Sequence, residues 1–285
     1  LVAVNRETGE RRVLGAPTGG RLRWQAPPGQ WRVHAFYSMF TNQVLERGSP
    51  DATGLVLDHF NPRALDLQLS QLEKLLPAVG SARGTLTGFA ADSMELEDSN
   101  WTPGFLDEFA RRRGYDLAPR LPDLWERISP DSGAVRQDFL ETLSELMLDG
   151  YFRRYTQWAH SHGLKTIVQA HGTIADPLAA YGAVDVPDVE TMWPGSHRQS
   201  GNLRSRRLGV SAAHIYGKPV VTAESYTWLG MPRFLVTLEQ MKAASDALYI
   251  DGVNHIKAHG YSSSPRAAGK PGWAFYASTH INHNQ

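Results

Sequence analysis

Predicted strands and helices alternate along most of this chain, and this alternation constrains its fold more than any other feature. Runs of β-forming residues at 31–37, 84–89, 164–169, 183–186, 218–223 and 253–256 indicate strands. Helix signals separate them, such as Asn61-Pro62 and the capping box formed by Thr237 and Gln240. Strands that alternate with helices form parallel sheets, so we expect an α/β protein.

The six predicted strands favour a (β/α)8 TIM-type barrel, a fold of eight strands and about 250 residues. We expect the barrel to be incomplete at the C-terminus, with two further strands beyond Gln285, so that residues 31–285 are a truncated catalytic domain. Residues 1–30 are rich in Gly and Pro and predict the tail of a preceding β-rich region and a linker. A doubly wound sheet also fits, although no Gly-x-Gly-x-x-Gly motif follows a strand.

The composition argues against several classes of function. Lys plus Arg and Asp plus Glu both total 29, so the chain offers no basic excess for nucleic acid or an anionic membrane. It has no apolar run long enough to predict a transmembrane helix. The absence of Cys excludes disulfides, thiolate metal sites and a Cys nucleophile within this sequence.

Two glutamates follow predicted strands, at the sheet edge where α/β enzymes build their sites. Glu95 and Glu224 both come after strands that end in small residues. They are three predicted strands apart, so in a barrel they face each other across its mouth. One acid and one base placed in this way suit a glycosidase. A salt bridge to a neighbouring arginine is the structural alternative for either residue.

Aromatic side chains in the predicted loops after strands favour a carbohydrate substrate, because such rings stack on the apolar faces of sugars. Nearby His, Asp and Asn side chains could bind the sugar hydroxyls. Ordinary packing of the loops is an alternative explanation for some of these rings. The aromatic candidates are Trp101, Trp193, Tyr226, Trp228, Tyr261 and Trp273.

The residues alone leave three alternatives open. His171, His214, His255 and His259 could serve a metal-dependent amidohydrolase barrel, although the characteristic His-x-His does not follow the first strand. A non-catalytic carbohydrate-binding fragment is the second alternative. The third concerns Asp185, Asp188 and Glu190, which fall within six residues and could bind Ca²⁺ or form a polar turn.

An ordered set of motifs, from about residue 30 to the end, resembles the α-L-rhamnosidases of glycoside hydrolase family 106. The first motif is Asp92-Ser93-Met94-Glu95. All the motifs occur in the same order as in the family, and this shared order makes the resemblance specific. The remaining motifs lie at 101–105, 109–117, 169–172, 185–190, 212–219, 223–227, 254–255 and 259–261.

The resemblance implies a (β/α)8 catalytic domain, flanked by β-rich domains, in a larger exported bacterial enzyme. It implies inverting hydrolysis of terminal α-L-rhamnose with Ca²⁺ in the active site. On the family pattern Glu95 is the general acid, Glu224 is the general base, and Asp92 lies beside the acid. Glu190 matches an acidic position that we assign to the metal. The residues expected to bind substrate are His171, Trp193, Tyr226, Asn254, His255, His259 and Tyr261.

The expected partners follow from the same resemblance. They are a rhamnose-containing glycoside or polysaccharide and the flanking domains of the longer chain, without nucleic acid or membrane insertion.

Overall fold

A computed structural model describes residues 1–45, 54–192, 199–228 and 234–275, with the backbone alone at 192 and 199–205. The chain divides into two compact units. The first comprises Leu1–Leu65 and Leu96–Tyr151, and the second comprises Asp66–Glu95 and Phe152–Gln285. No helix in the described ranges is long and apolar enough to cross a membrane.

The first unit begins with a small antiparallel sheet. Its strands are β1 (Val2–Asn5), β2 (Arg11–Val13) and β3 (Trp31–His34), in the order β2-β1-β3. The prediction of a strand at 31–37 is thus confirmed in part, but its place as the first strand of the barrel is wrong. It pairs antiparallel with β1, whose four residues are all buried. An alternating pattern of apolar and polar residues predicts a strand but does not show which other strand it pairs with.

Helices and a phenylalanine cluster make up the rest of the first unit. They include α2 (Phe105–Arg113) and α3 (Ser132–Met147). Phe105 is 1% exposed and packs edge-on against Phe139 at a centroid distance of 5.2 Å. Helix α1 (Pro62–Leu75), most of which belongs to the second unit, begins after Asn61, whose side chain accepts a hydrogen bond from the Arg63 amide, as an N-cap residue does.

A π-helical turn at Leu148–Arg153 follows α3 and leads directly into α4 (Arg154–Ser161). The long helix predicted from about residue 136 to residue 162 is therefore confirmed, although it is not uniformly α-helical.

The second unit is built on a curled parallel sheet of five strands in sequential order. They are β4 (Gly88–Ala91), β5 (Lys165–Val168), β6 (Val186–Met192), β7 (Thr222–Thr227) and β8 (His255–Ala258). Helices α5 (Pro177–Ala183), α6 (Gln199–Ile215) and α7 (Leu238–Asp251) separate the later strands. The predicted α/β class and parallel sheet are confirmed. A complete eight-stranded barrel is not confirmed within the described residues.

Close packing of α6 on β6 depends on a glycine in the helix. A Cβ atom added to Gly209 would lie 2.4 Å from Cγ1 of Val189 on β6 and 3.5 Å from the Tyr181 ring. Val189 and Tyr181 are both fully buried. The missing side chain therefore lets the helix approach the outer face of the sheet, which fixes the position of β6.

Candidate active site

The face of the parallel sheet opposite the helices is polar. Because side chains alternate along a strand, residues two apart share a face, and paired residues on neighbouring strands share it too. Glu190 pairs with Glu224, and Glu224 pairs with Lys257, so these three side chains lie in one row. Small barrels normally fill this face with branched apolar side chains. A charged row in that place indicates a binding or catalytic site.

Glu224 lies at the centre of a hydrogen-bond network. Gln169, directly after β5, donates from Nε2 to Oε2 of Glu224 over 2.6 Å. Thr227 donates from Oγ1 to Oε1 of Glu224 over 2.7 Å. Nδ1 of His259 lies 3.0 Å from Oε1 of Glu224 and 3.0 Å from Oγ1 of Thr227, and it donates when that nitrogen carries the proton. The carboxylate, 13% exposed, is therefore held through both oxygens.

Asp92, directly after β4, also contacts Glu224. Partial burial of Asp92 raises its pKa, and the charge of Glu224 and a hydrogen bond between the two side chains raise it further. The charge of Lys257 acts in the opposite direction. Three strand spacings separate β4 from β7, which is about 14 Å in a flat sheet. Contact between the two carboxyl groups therefore reflects the curl of the sheet.

The alternation of side chains along β7 is reversed at Tyr226. This reversal determines which side chains of β7 reach the polar face of the sheet. Tyr226 has a φ of 68°, which is rare for a residue with a bulky side chain. Its ring is buried, and its hydroxyl lies 2.7 Å from Oγ of Ser245 on α7. This position lies on the face of the sheet that the helices cover, so it does not agree with the predicted role of Tyr226 in binding substrate. The reversal brings Thr227 to Glu224 instead.

Glu95 lies three residues beyond Asp92 and is exposed. Its φ of 45° is also in the left-handed region. Non-glycine residues in this region cost free energy and cluster at functional sites. The position is consistent with the predicted catalytic role of Glu95, which stays a prediction.

Glu190 on β6 and His171 after β5 lie in contact. Oε2 of Glu190 lies 3.3 Å from Nε2 of His171, and both side chains are nearly buried, at 13% and 12% exposed. Nδ1 of His171 lies 3.0 Å from the hydroxyl of Tyr181. Burial raises the pKa of Tyr181, with Asp188 and Glu190 adding to the rise, so this hydroxyl stays protonated.

The acidic residues predicted as Ca²⁺ ligands have separate partners. Asp185 accepts hydrogen bonds from His160 and from the Thr166 amide, whereas Glu190 pairs with His171. In the part of the chain that the structure describes, no three His, Asp or Glu side chains gather as a metal site requires. Among the described residues, Asp185 and Glu190 thus have different partners, and the Ca²⁺ site stays a prediction. The histidines proposed for an amidohydrolase do not form such a group in these ranges either.

Asp188 has a separate, buried hydrogen-bond network below the row formed by Glu190, Glu224 and Lys257. It is 2% exposed and accepts a hydrogen bond of 2.6 Å from Oγ1 of Thr222. Nζ of Lys257 donates to its other oxygen. Asp188 is therefore fully paired, as a buried carboxylate must be.

Two residues predicted to bind substrate lie at the opposite end of β8 from its C-terminal edge. Asn254 precedes this strand, and its side chain bonds to the Val221 amide and the Pro219 carbonyl. His255 is the first residue of β8 and pairs with Thr222. The predicted strand began too early, which placed both residues too close to the edge where the site lies.

The aromatic candidates are in different environments. Trp228 is 1% exposed and is part of the core, so it offers no face to a sugar. Trp101 packs against Phe105 at 4.6 Å in the first unit. Tyr261 and Trp273 are exposed. Trp193 lies outside the described residues.

The sequence analysis did not predict three residues of the site, namely Gln169, Thr227 and Lys257. Gln169 and Lys257 could have been found by alternation, since each is two residues from a histidine already considered, His171 and His259. Nothing in the sequence indicates the reversal that brings Thr227 to the site.

Comparison with known proteins gives a family and a shared fold. The model of glycoside hydrolase family 106, described as alpha-L-rhamnosidase, matches residues 16–285. A protein of Formosa agariphila named putative beta-glucuronidase is 27% identical over an alignment of 252 residues that covers 86% of this chain and 21% of that protein. A rhamnosidase structure from Novosphingobium sp. PP1Y matches with a TM-score of 0.69 and 23% identity, over 91% of this chain and 26% of that one.

The chain thus spans about a fifth of the curated relative and about a quarter of the solved protein. At this low identity the solved structure shows a shared fold. The family model covers nearly all of the sequence. The chain therefore belongs to glycoside hydrolase family 106, the α-L-rhamnosidase family.

Proposed function

We propose that this chain carries the catalytic centre of a glycosidase that cleaves terminal α-L-rhamnosyl or related linkages with inversion. Family membership supports a glycoside hydrolase. The observation that carries the assignment is the fixed carboxylate of Glu224, held by Gln169, Thr227 and His259. A general base must be oriented towards the proton that it removes, and these three groups supply that orientation.

Glu224 is the proposed general base. A carboxylate has about four acceptor directions, of which Gln169, Thr227 and His259 use three. Asp92 occupies the fourth, and in the proposed reaction a water molecule replaces Asp92 there when the substrate binds. Glu224 takes a proton from that water as the water oxygen bonds to the anomeric carbon. The protein groups stay in place during this step, so little reorganisation is required.

Glu95 is the proposed general acid. It gives its proton to the glycosidic oxygen as the bond from that oxygen to the anomeric carbon breaks, and the aglycone leaves as an alcohol. Inverting enzymes keep their two carboxyl groups about 6.5–9.5 Å apart. Asp92 bonds directly to Glu224, which leaves no room for sugar and water between them. Asp92 is therefore a partner of the base rather than the acid.

The identity of the sugar needs a direct test, because one relative is named a putative beta-glucuronidase and another protein of the same fold a rhamnosidase. We favour α-L-rhamnose because the family model carries that description. An exported enzyme acting on a rhamnose-containing polysaccharide remains our proposal for its setting. Hydrolysis of nitrophenyl α-L-rhamnoside but not of nitrophenyl β-D-glucuronide supports it, and the opposite preference overturns the choice of sugar.

Two leaving groups separate the roles of the glutamates. A dinitrophenolate leaves without protonation, whereas a sugar alcohol requires an acid. Glu95→Gln should therefore lose about 10³-fold in kcat on a disaccharide and much less on a dinitrophenyl glycoside. Glu224→Gln should lose activity on both substrates to a similar extent. Glu239→Gln, at the exposed start of α7, is the control and should keep parental rates on both. Equal losses in the Glu95 variant would contradict its role as the acid.

A further inference from the structure

A cavity of about 960 Å³ opens on the surface of the first unit. Every described residue that lines it belongs to that unit, so neither Glu224 nor the residues that hold Glu224 contribute to it. Pockets that bind small ligands have volumes of about 300–1,000 Å³, whereas a stable protein partner covers about 800 Å² of surface. The cavity therefore has the size of a site for a ligand of a few rings.

Exposed aromatic side chains form part of the cavity wall. The rings of Phe36 and Trp125 pack together with their centroids 5.4 Å apart, and Tyr37 follows Phe36 along the chain. Trp125 and Tyr37 are 69% and 80% exposed, although both side chains have a large apolar surface. A group of exposed apolar side chains in one place marks a binding surface, whereas a single one does not.

Two further aromatic residues of the wall rest on the core of the unit. Trp101 and Phe139 lie 4.6 Å and 5.2 Å from Phe105, measured between ring centroids, and Phe105 is buried. Their contacts with a buried ring restrict how these two side chains can move. A ligand that binds to them therefore loses little free energy to the ordering of protein side chains.

Polar groups with unused hydrogen-bonding capacity lie among these rings. In the part of the chain that the structure describes, the side chains of Tyr37, Asn100 and Trp125 make no hydrogen bond to other residues. Arg136 donates from Nη1 to the Asp123 carbonyl over 2.7 Å, which fixes its guanidinium and leaves further N–H donors for a ligand. The cavity thus offers donors and acceptors beside its aromatic surface.

The charge of the cavity narrows the class of ligand. Among the described residues that line it, Arg136 is the only one with a charged side chain, and no carboxylate is present to bind a cation. Sugars have apolar C–H faces that stack on aromatic rings, and their hydroxyl groups bond to amide and guanidinium groups. A neutral oligosaccharide therefore matches both the rings and the polar groups of the wall.

We propose that this cavity is a second carbohydrate-binding site, which takes a short neutral oligosaccharide. Trp101 and Trp125 supply the stacking surface. Asn100 and Arg136 bind the hydroxyl groups. The site binds without cleaving, because its wall contains no carboxyl group that could act as an acid or a base. The inference goes beyond the proposed reaction of Glu224 and does not depend on it.

Calorimetric titration tests the proposal, with rutinose, cellotriose and maltotriose as neutral probes and trigalacturonate as an anionic probe. The protein is the longest chain that contains this sequence, with Glu224→Gln so that no probe is consumed. We expect at least one neutral probe to bind, and Trp125→Ala to weaken that binding about 10-fold. Asn100→Ala should weaken it about 3-fold. Tyr249→Ala, at an exposed aromatic position of α7 in the second unit, is the matched control and should leave the binding unchanged.

Three results would overturn the proposal. They are no binding of any neutral probe, equal binding by the parent and Trp125→Ala, and a preference for trigalacturonate over the neutral probes. Should Trp125→Ala fail to fold, Asn100→Ala leaves the aromatic packing in place and the same outcomes apply. A parental chain that hydrolyses no glycoside would instead contradict the proposed function, and the titration would still decide whether the cavity binds sugar.

Discussion

Gln169 donates a hydrogen bond of 2.6 Å to Oε2 of Glu224, and this contact links the end of β5 to β7 across the intervening β6. Gln169 is 1% exposed, so its amide has little access to bulk water. The orientation of the proposed base therefore depends on an amide from a strand that is not its neighbour. The geometry of the site thus depends on the curl of the sheet.

Replacing Gln169 tests this dependence. Gln169→Met keeps the length of the side chain but removes the donor, so the Glu224 carboxylate loses one of its fixed contacts. We expect kcat to fall about 10-fold, which corresponds to roughly 1.4 kcal/mol of transition-state stabilisation. Steady-state kinetics on the preferred glycoside measure this. Gln157→Met, at an exposed position of α4, is the control, and equal rates for the two variants would contradict the role of Gln169.

The sequence predicts much of this architecture because local patterns specify it. Alternation of strands and helices predicts the parallel sheet, and polar residues after strands predict the region of the site. The reversal at Tyr226 was not predictable, because a φ of 68° at a tyrosine has no signal in the sequence. The prediction therefore assigned Tyr226 to the substrate, as an aromatic residue after a strand, and omitted Thr227. The pairing of β3 also escaped prediction, since it depends on contacts distant in the sequence.

Two glycines in helices should respond differently to the same substitution. Gly209→Ala would place a methyl group 2.4 Å from Val189, so we expect a loss of about 1–3 kcal/mol in the free energy of unfolding. Gly133→Ala, in α3, meets nothing within 4 Å and should be neutral or stabilising by up to about 1 kcal/mol. Denaturant titration of both variants measures the difference. Similar stabilities would show that α6 does not pack on β6 as described.

Asp123 in the first unit should make stability depend on pH. Burial alone would raise the pKa of Asp123, but hydrogen bonds from Arg120, Ser132 and Arg11 outweigh it and hold the pKa below its usual value. A lowered pKa in the folded state stabilises the protein above the unfolded value of about 3.9, and that contribution is lost as pH falls further. Asp123→Ala should cost about 3 kcal/mol at pH 7 because it removes the buried carboxylate to which Arg11, Arg120 and Ser132 donate.

Thermal unfolding at pH 7 and at pH 3 measures the contribution of Asp123. The difference between parent and variant should shrink at the lower pH. Asp246→Ala, which removes only an exposed pair with Lys242, should cost about 0.5 kcal/mol or less. A difference for Asp123→Ala that does not change with pH would show that its carboxylate charge contributes no stability.

Calcium is the remaining prediction from the family resemblance. If Ca²⁺ serves the reaction, treatment with a chelator should abolish hydrolysis of the rhamnoside, and added Ca²⁺ should restore it. Glu190→Gln should then weaken the recovery by raising the Ca²⁺ concentration that gives half of the activity. Full activity in the chelator would agree with the contact between Glu190 and His171 and would remove calcium from the account.

The most direct test of the central claim is the rate of Glu224→Gln on the preferred glycoside, measured in the longest chain that contains this sequence. The account predicts a fall in kcat of about 10³-fold or more. The thermal midpoint should stay within a few degrees of the parent, because Gln keeps the size of the side chain and can still accept hydrogen bonds. A variant that folds normally and hydrolyses the glycoside at near-parental rate would contradict the assignment of Glu224 as the base.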